Sequence, residues 1–68
     1  MKLNTLVKFD TGGLDNWDEY PFSKHDRFVY MGDIVQMEGH CVVARLSDGK
    51  IFTCYHTFNF VKLSEDEI

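Results

Sequence analysis

At 68 residues, the chain has material for one domain, 1–68, and a domain this small hides only about 60% of the surface of its unfolded chain. A hydrophobic content of 44%, with 15% aromatic residues, excludes intrinsic disorder over all but the ends. Seven Lys and Arg against eleven Asp and Glu, a formal net charge of −4, set the chain against nucleic acid, whose binding depends on clustered cations, and favour a protein partner with a basic surface.

No apolar run approaches the roughly 18–20 residues that cross a bilayer, so no membrane association is expected, and Met1-Lys2-Leu3-Asn4-Thr5 carries no signal-peptide core. With Cys41 and Cys54 as the only cysteines, the expected compartment is the cytoplasm with both thiols reduced.

In chain order, Leu3 to Phe9 reads as a first strand, with Lys8 solvated, ending at Thr11-Gly12-Gly13. Asp10 to Arg27 is long, acidic and aromatic, with neither strand alternation nor a helical period. Loops longer than about 12–15 residues in compact domains are usually functional or mobile. Trp17 and Tyr20 argue against simple mobility, because large rings find a surface to cover. Two roles suit Trp17-Asp18-Glu19-Tyr20-Pro21-Phe22: a few large contacts ringed by carboxylates at a binding site, or a plug for one end of a barrel. They are compatible, with Phe22 plugging while Trp17 and Tyr20 meet a partner.

Arg27 to Tyr30 leads into a strand centred on Asp33 to Met37, which turns at Glu38-Gly39 and returns as His40 to Leu46. Asp48-Gly49 predicts a two-residue type I′ loop, which needs φ > 0 at both positions. It would pair Ser47 with Lys50, Leu46 with Ile51, Ala44 with Thr53, Val42 with Tyr55 and Cys41 with His56. Opposed residues share a face. The face with Val42, Ala44, Leu46, Ile51, Thr53 and Tyr55 is assigned to the core, and that with Cys41, Val43, Arg45, Phe52, Cys54 and His56 to a contact surface. His56 to Phe60 is a short link, Phe60 to Leu63 the last strand, and 64–68 a frayed acidic tail. The fold class predicted is all-β: a small five-stranded barrel with a long insertion after the first strand.

This order resembles the SH3-like barrel shared by SH3, Tudor and KOW-type domains. Met31-Gly32-Asp33-Ile34-Val35 is similar to the Gly-Asp opening of the second strand, Ala44-Arg45-Leu46-Ser47-Asp48-Gly49 to the distal hairpin, and Asn59-Phe60-Val61-Lys62-Leu63 to the closing Asn-Tyr-Val-Lys-Leu. Asp10 to Asp26 falls where SH3 domains carry the RT loop. The departures lie in the peptide groove. His40-Cys41 stands where a Trp follows the n-Src turn, and Thr57-Phe58 where a Pro precedes the final Asn-Tyr. The shelf that grips polyproline II peptides would have to come from Phe58 and Phe60, or from Trp17 and Tyr20.

Cys41, Cys54 and His56 share a face in the predicted register, a zinc-compatible trio short of the usual four ligands. Two buried or half-buried thiols and a surface histidine account for them far more simply, so neither metal nor cofactor is expected. A Cys41–Cys54 disulfide would be diagonal, against strand geometry. No nucleophile elbow, phosphate loop or paired carboxylate suggests catalysis. The resulting expectation is a non-enzymatic protein-binding module, monomeric or weakly homodimeric through an exposed edge, contacting its partner through Trp17, Asp18, Glu19, Tyr20, Phe58 and Phe60. Two alternatives stand beside it. One is a Tudor- or KOW-type nucleic-acid reader using Lys2, Lys8, Arg45, Lys50 and Lys62. The other is a small phage or mobile-element protein that inhibits a host protein.

Overall fold

The computed structural model describes residues 1–67. It contains five strands, β1 (Leu6–Phe9), β2 (Phe28–Asp33), β3 (His40–Arg45), β4 (Ile51–His56) and β5 (Phe60–Lys62), with single 3-10 turns at Trp17–Glu19, Thr57–Asn59 and Glu65–Glu67. Every pairing is antiparallel, and the strands form one sheet in the order β4-β3-β2-β1-β5. β4 and β5, the ends of that order, are not paired with each other, so the sheet is open where a closed barrel was expected. Among the described residues no helix is long and apolar enough to cross a membrane.

The strands follow from period-two alternation. In β1, Val7 and Phe9 are buried while Leu6 and Lys8 are half-buried; in β2, Phe28 and Tyr30 turn inward; in β3, Cys41 and Val43 do. Phe52 and Phe60 complete the interior. Each large apolar side chain removed from water contributes roughly 1.5–3 kcal/mol. The rings interlock edge to face, with Phe28 at 5.2 Å from Phe22, 6.0 Å from Phe52 and 5.7 Å from Phe60, an arrangement favoured by the ring quadrupole.

Three expectations are corrected. The second strand lies earlier than predicted: β2 ends at Asp33, and Ile34 to Gly39 forms the turn, held by Met37 N–H to Ile34 C=O and His40 N–H to Met37 C=O. Gly32 is within the strand, at φ +117, where the register shifts between Tyr30 and Gly32.

The β3–β4 hairpin closes on Arg45 and Lys50, Arg45 N–H donating to Lys50 C=O at 2.8 Å, so its loop has four residues. Ala44 therefore faces Ile51, two places from its expected partner. An even shift keeps the same residues on the same face, but the inner face is the opposite one. Cys41, Val43 and Phe52 are buried, whereas Leu46, Ile51 and Thr53 are exposed and Val42 and Ala44 half-buried. Tyr55 alone of the expected core set packs against the interior. It is brought inward by a register shift between Cys41 and Val43 opposite Tyr55 and Phe52, where Cys54 takes φ +68.

In the tail, Glu65–Glu67 makes a 3-10 turn. Glu67 bonds Ser64 and pairs with Lys8 of β1; Ile68 lies outside the described residues.

Candidate partner-binding site

The segment between β1 and β2 is folded onto the sheet. Phe22, 6% exposed, lies 4.9 Å from Phe9, 5.2 Å from Phe28 and 5.3 Å from Phe52, so it belongs to the core although no strand carries it. Tyr20 stacks on Phe22 at 5.6 Å and sits 4.7 Å from Phe9. Trp17 meets Phe9 edge-on at 5.8 Å and Tyr20 at 6.4 Å. Both are half-buried, each ring having one side on the core and the other toward solvent.

Polar contacts hold this placement. Gly12 N–H donates to Asp10 Oδ1 at 2.8 Å and the Thr11 hydroxyl to Leu14 C=O at 2.6 Å. Asn16 Nδ2 donates to Glu19 Oε2 at 3.1 Å across the 3-10 turn. Arg45, half-buried, ties the segment to the hairpin. Its guanidinium is bidentate to Asp48 at 2.7 and 3.0 Å, donates to Pro21 C=O at 3.3 Å and Asp26 Oδ2 at 3.4 Å, and lies 5.3 Å over the Phe52 ring. A planar five-donor group suits this branching contact. The Arg45 guanidinium holds the Asp48 carboxyl far below its usual range, helped by the Lys50 N–H.

The 3-10 turn projects Asp18 and Glu19 outward; both are exposed. Beside it opens a cleft of about 410 Å³, lined among others by Trp17, Leu14, Asp10, Asp15, Lys8 and Lys24. Lys8 is already paired with Glu67. The cleft thus offers the Trp17 and Phe9 rings, one aliphatic side chain and two carboxylates, with Lys24 as a further cation on its wall.

The six expected contact residues divide. Trp17, Asp18, Glu19 and Tyr20 come together at this site. Phe60 is 3% exposed, lies 5.2 Å from Phe9 and presents almost no surface. Phe58 is 76% exposed and belongs to another cluster, 5.1 Å from the His56 ring, which is itself 4.3 Å from His40. Leu14 and Asp15 were missed; Leu14, an apolar residue isolated among Gly and Asp, was the available signal.

The zinc-compatible trio is not assembled. Cys41 faces the core while Cys54 and His56 are exposed, and no group of three or more His, Cys, Asp or Glu side chains suited to a metal occurs among the described residues. Both thiols are free. Burial pushes the Cys41 thiol up, with Asp33 adding to the rise and a Thr57 hydrogen bond opposing it, the reverse of what an activated nucleophile needs.

Comparison of the chain with protein-family models, with curated proteins and with solved structures gives no match.

Proposed function

We propose that the chain is an SH3-like, non-enzymatic protein-binding module of the cytoplasm, and that it grips a basic segment of a partner protein at Trp17, Asp18, Glu19 and Tyr20, with the adjoining cleft receiving one side chain. The observation that carries this reading is the half-buried Trp17, fixed on Phe9 yet lining an open cleft beside Asp10 and Asp15. A ring already immobilised loses little entropy on binding and adds desolvated contact area, while surrounding carboxylates steer a cationic partner. The SH3-like reading is supported by the element order: a long acidic segment between β1 and β2, a tight hairpin between β3 and β4, and a short β5 paired with β1. Against a nucleic-acid reader, two of the five cations that would form its strip, Lys8 and Arg45, are engaged by Glu67, Asp26 and Asp48.

The test is affinity capture from native cytoplasm, with and without nuclease treatment, using the wild type, Trp17→Ala, and the exposed charge reversal Asp18→Lys/Glu19→Lys. A protein held by the wild type and lost, at least tenfold, by both variants is the expected result. The charge reversal touches no core contact and gives up only the surface Asn16–Glu19 hydrogen bond, so equal recovery with it removes the Asp18 and Glu19 carboxylates from binding. Recovery that vanishes with nuclease reassigns the chain as a nucleic-acid reader.

A further inference from the structure

Two of the three histidines meet at the open end of the β3–β4 hairpin. His40, first in β3, is registered opposite His56, last in β4. Thr57 N–H donates to Gly39 C=O at 2.8 Å, just outside both residues. That bond makes His40–His56 a non-hydrogen-bonded pair, the antiparallel position at which opposed side chains lie closest. Their neighbours Cys41 and Tyr55 turn to the core, so alternation sends both imidazoles to the outer face. The ring centroids are 4.3 Å apart, and Phe58 packs on the His56 ring at 5.1 Å.

The His40 tautomer is set as well. Its Nδ1 lies 3.1 Å from the Glu38 C=O, a group that can only accept, so in the neutral ring Nδ1 carries the proton and Nε2 the lone pair. A histidine that ligates a metal is oriented by such a bond from its other ring nitrogen to a carbonyl. No fixed cation competes in these segments. Lys and Arg are absent from Met31 to Ala44 and from Ile51 to Val61, whereas Asp33 and Glu38 are present.

We propose that His40 and His56 form a two-histidine chelate for a divalent transition ion of the zinc, nickel and copper class. On one tetrahedral ion, two nitrogens bound at about 2.0–2.1 Å lie roughly 3.4 Å apart. Rings centred 4.3 Å apart reach that separation by rotation about their Cβ–Cγ bonds. Imidazole selects these ions over Mg2+ and Ca2+, which take oxygen ligands. No third His, Cys, Asp or Glu is grouped with the pair among the described residues, so water fills the remaining positions. The ion clamps the two strand ends beside the Cys54 irregularity, where the ladder is interrupted. The pair is separate from the Trp17 site, so the two proposals fail separately.

Zinc chloride titrated into the metal-free protein in chelator-free buffer near neutral pH tests the proposal. In NMR spectra the imidazole resonances of His40 and His56 should shift together, while those of exposed His25 stay in place and Mg2+ moves none of them. At a free Zn2+ concentration about ten times the dissociation constant, the melting temperature should rise by roughly 5–10 °C, because the ion binds the folded pair in preference to separated histidines. His56→Phe, at an exposed position and keeping a ring beside Phe58, and His40→Gln should each fold and abolish both responses. Cys54→Ser, which removes the nearest exposed thiol, should keep them. The proposal is overturned by the absence of any shift up to about 1 mM Zn2+, by responses that survive in folded His56→Phe, by responses that Cys54→Ser removes, or by responses that Mg2+ reproduces.

Discussion

Gly49 adopts φ +72, with its N–H donating to Arg45 C=O at 2.7 Å and open space, clear to 4 Å, where a Cβ would sit. Space is therefore irrelevant there and backbone preference decides. A β-branched residue in the left-handed region costs about 1–2 kcal/mol, so Gly49→Val should lower the melting temperature by about 5–15 °C in a domain this size; an unchanged melting curve would show that the loop does not need this conformation. Tyr30 gives a pH signature. Its hydroxyl donates to Asp33 at 2.6 Å, and that bond, with burial and the Asp33 charge, pushes its pKa from 10.0 to about 12. The folded state thus favours the neutral phenol. The stabilisation is complete below about pH 10 and is lost as pH rises toward about 12. Tyr30→Phe should flatten this alkaline limb of a stability-versus-pH curve while costing roughly 1 kcal/mol at neutral pH; a wild-type limb that persists in the variant would place the titrating group elsewhere.

Among elements, the β3–β4 hairpin shows where sequence reading works and where it stops. Asp48-Gly49 located the reversal, and alternation sorted residues 42–46 and 51–53 correctly into two sets. Which set faces inward was not legible, because Val42, Ala44 and Ile51 are as apolar as Cys41, Val43 and Phe52. The choice is made across the core, where the Phe52 ring packs against Phe28 of the neighbouring strand and Phe22 of the loop. The irregularities at Gly32 and Cys54 were invisible too, since a register shift is a relation between strands. At Cys54 the structure places a non-glycine residue at φ +68 with its side chain exposed, near Met37 Sδ at 3.8 Å. Glycine adopts this conformation without steric penalty. Cys54→Gly should therefore keep or raise stability, by up to about 1 kcal/mol, and Cys54→Val should lower it by about 1–2 kcal/mol. Urea denaturation of the pair gives the comparison, and a glycine variant less stable than the valine one would contradict the strained bulge.

At the level of the whole molecule, the candidate site and the core are one construction. The Trp17–Tyr20 pairing was legible as an aromatic cluster in an acidic loop. The loop's depth of burial was not, because Phe22 enters the interior through contacts with Phe9, Phe28 and Phe52 that are distant in sequence. Five strands of three to six residues enclose little volume by themselves, and Phe22 fills the space between β1, β2 and β4. A chain of 68 residues has a total stability of roughly 3–10 kcal/mol at 0.05–0.15 kcal/mol per residue, whereas emptying a buried Phe site costs about 3–5 kcal/mol. Phe22→Ala should therefore leave the domain largely unfolded or only marginally folded at 25 °C, and detach Trp17 and Tyr20 with it, while Phe22→Leu, which retains most of the volume, should remain folded with a reduced melting temperature. Near-UV circular dichroism, dominated by these packed rings, reads both outcomes. If Phe22→Ala keeps a native near-UV spectrum and melts within a few degrees of the wild type, the loop is an appendage of the sheet, and Trp17 lacks the rigid backing that would make it a pre-set contact.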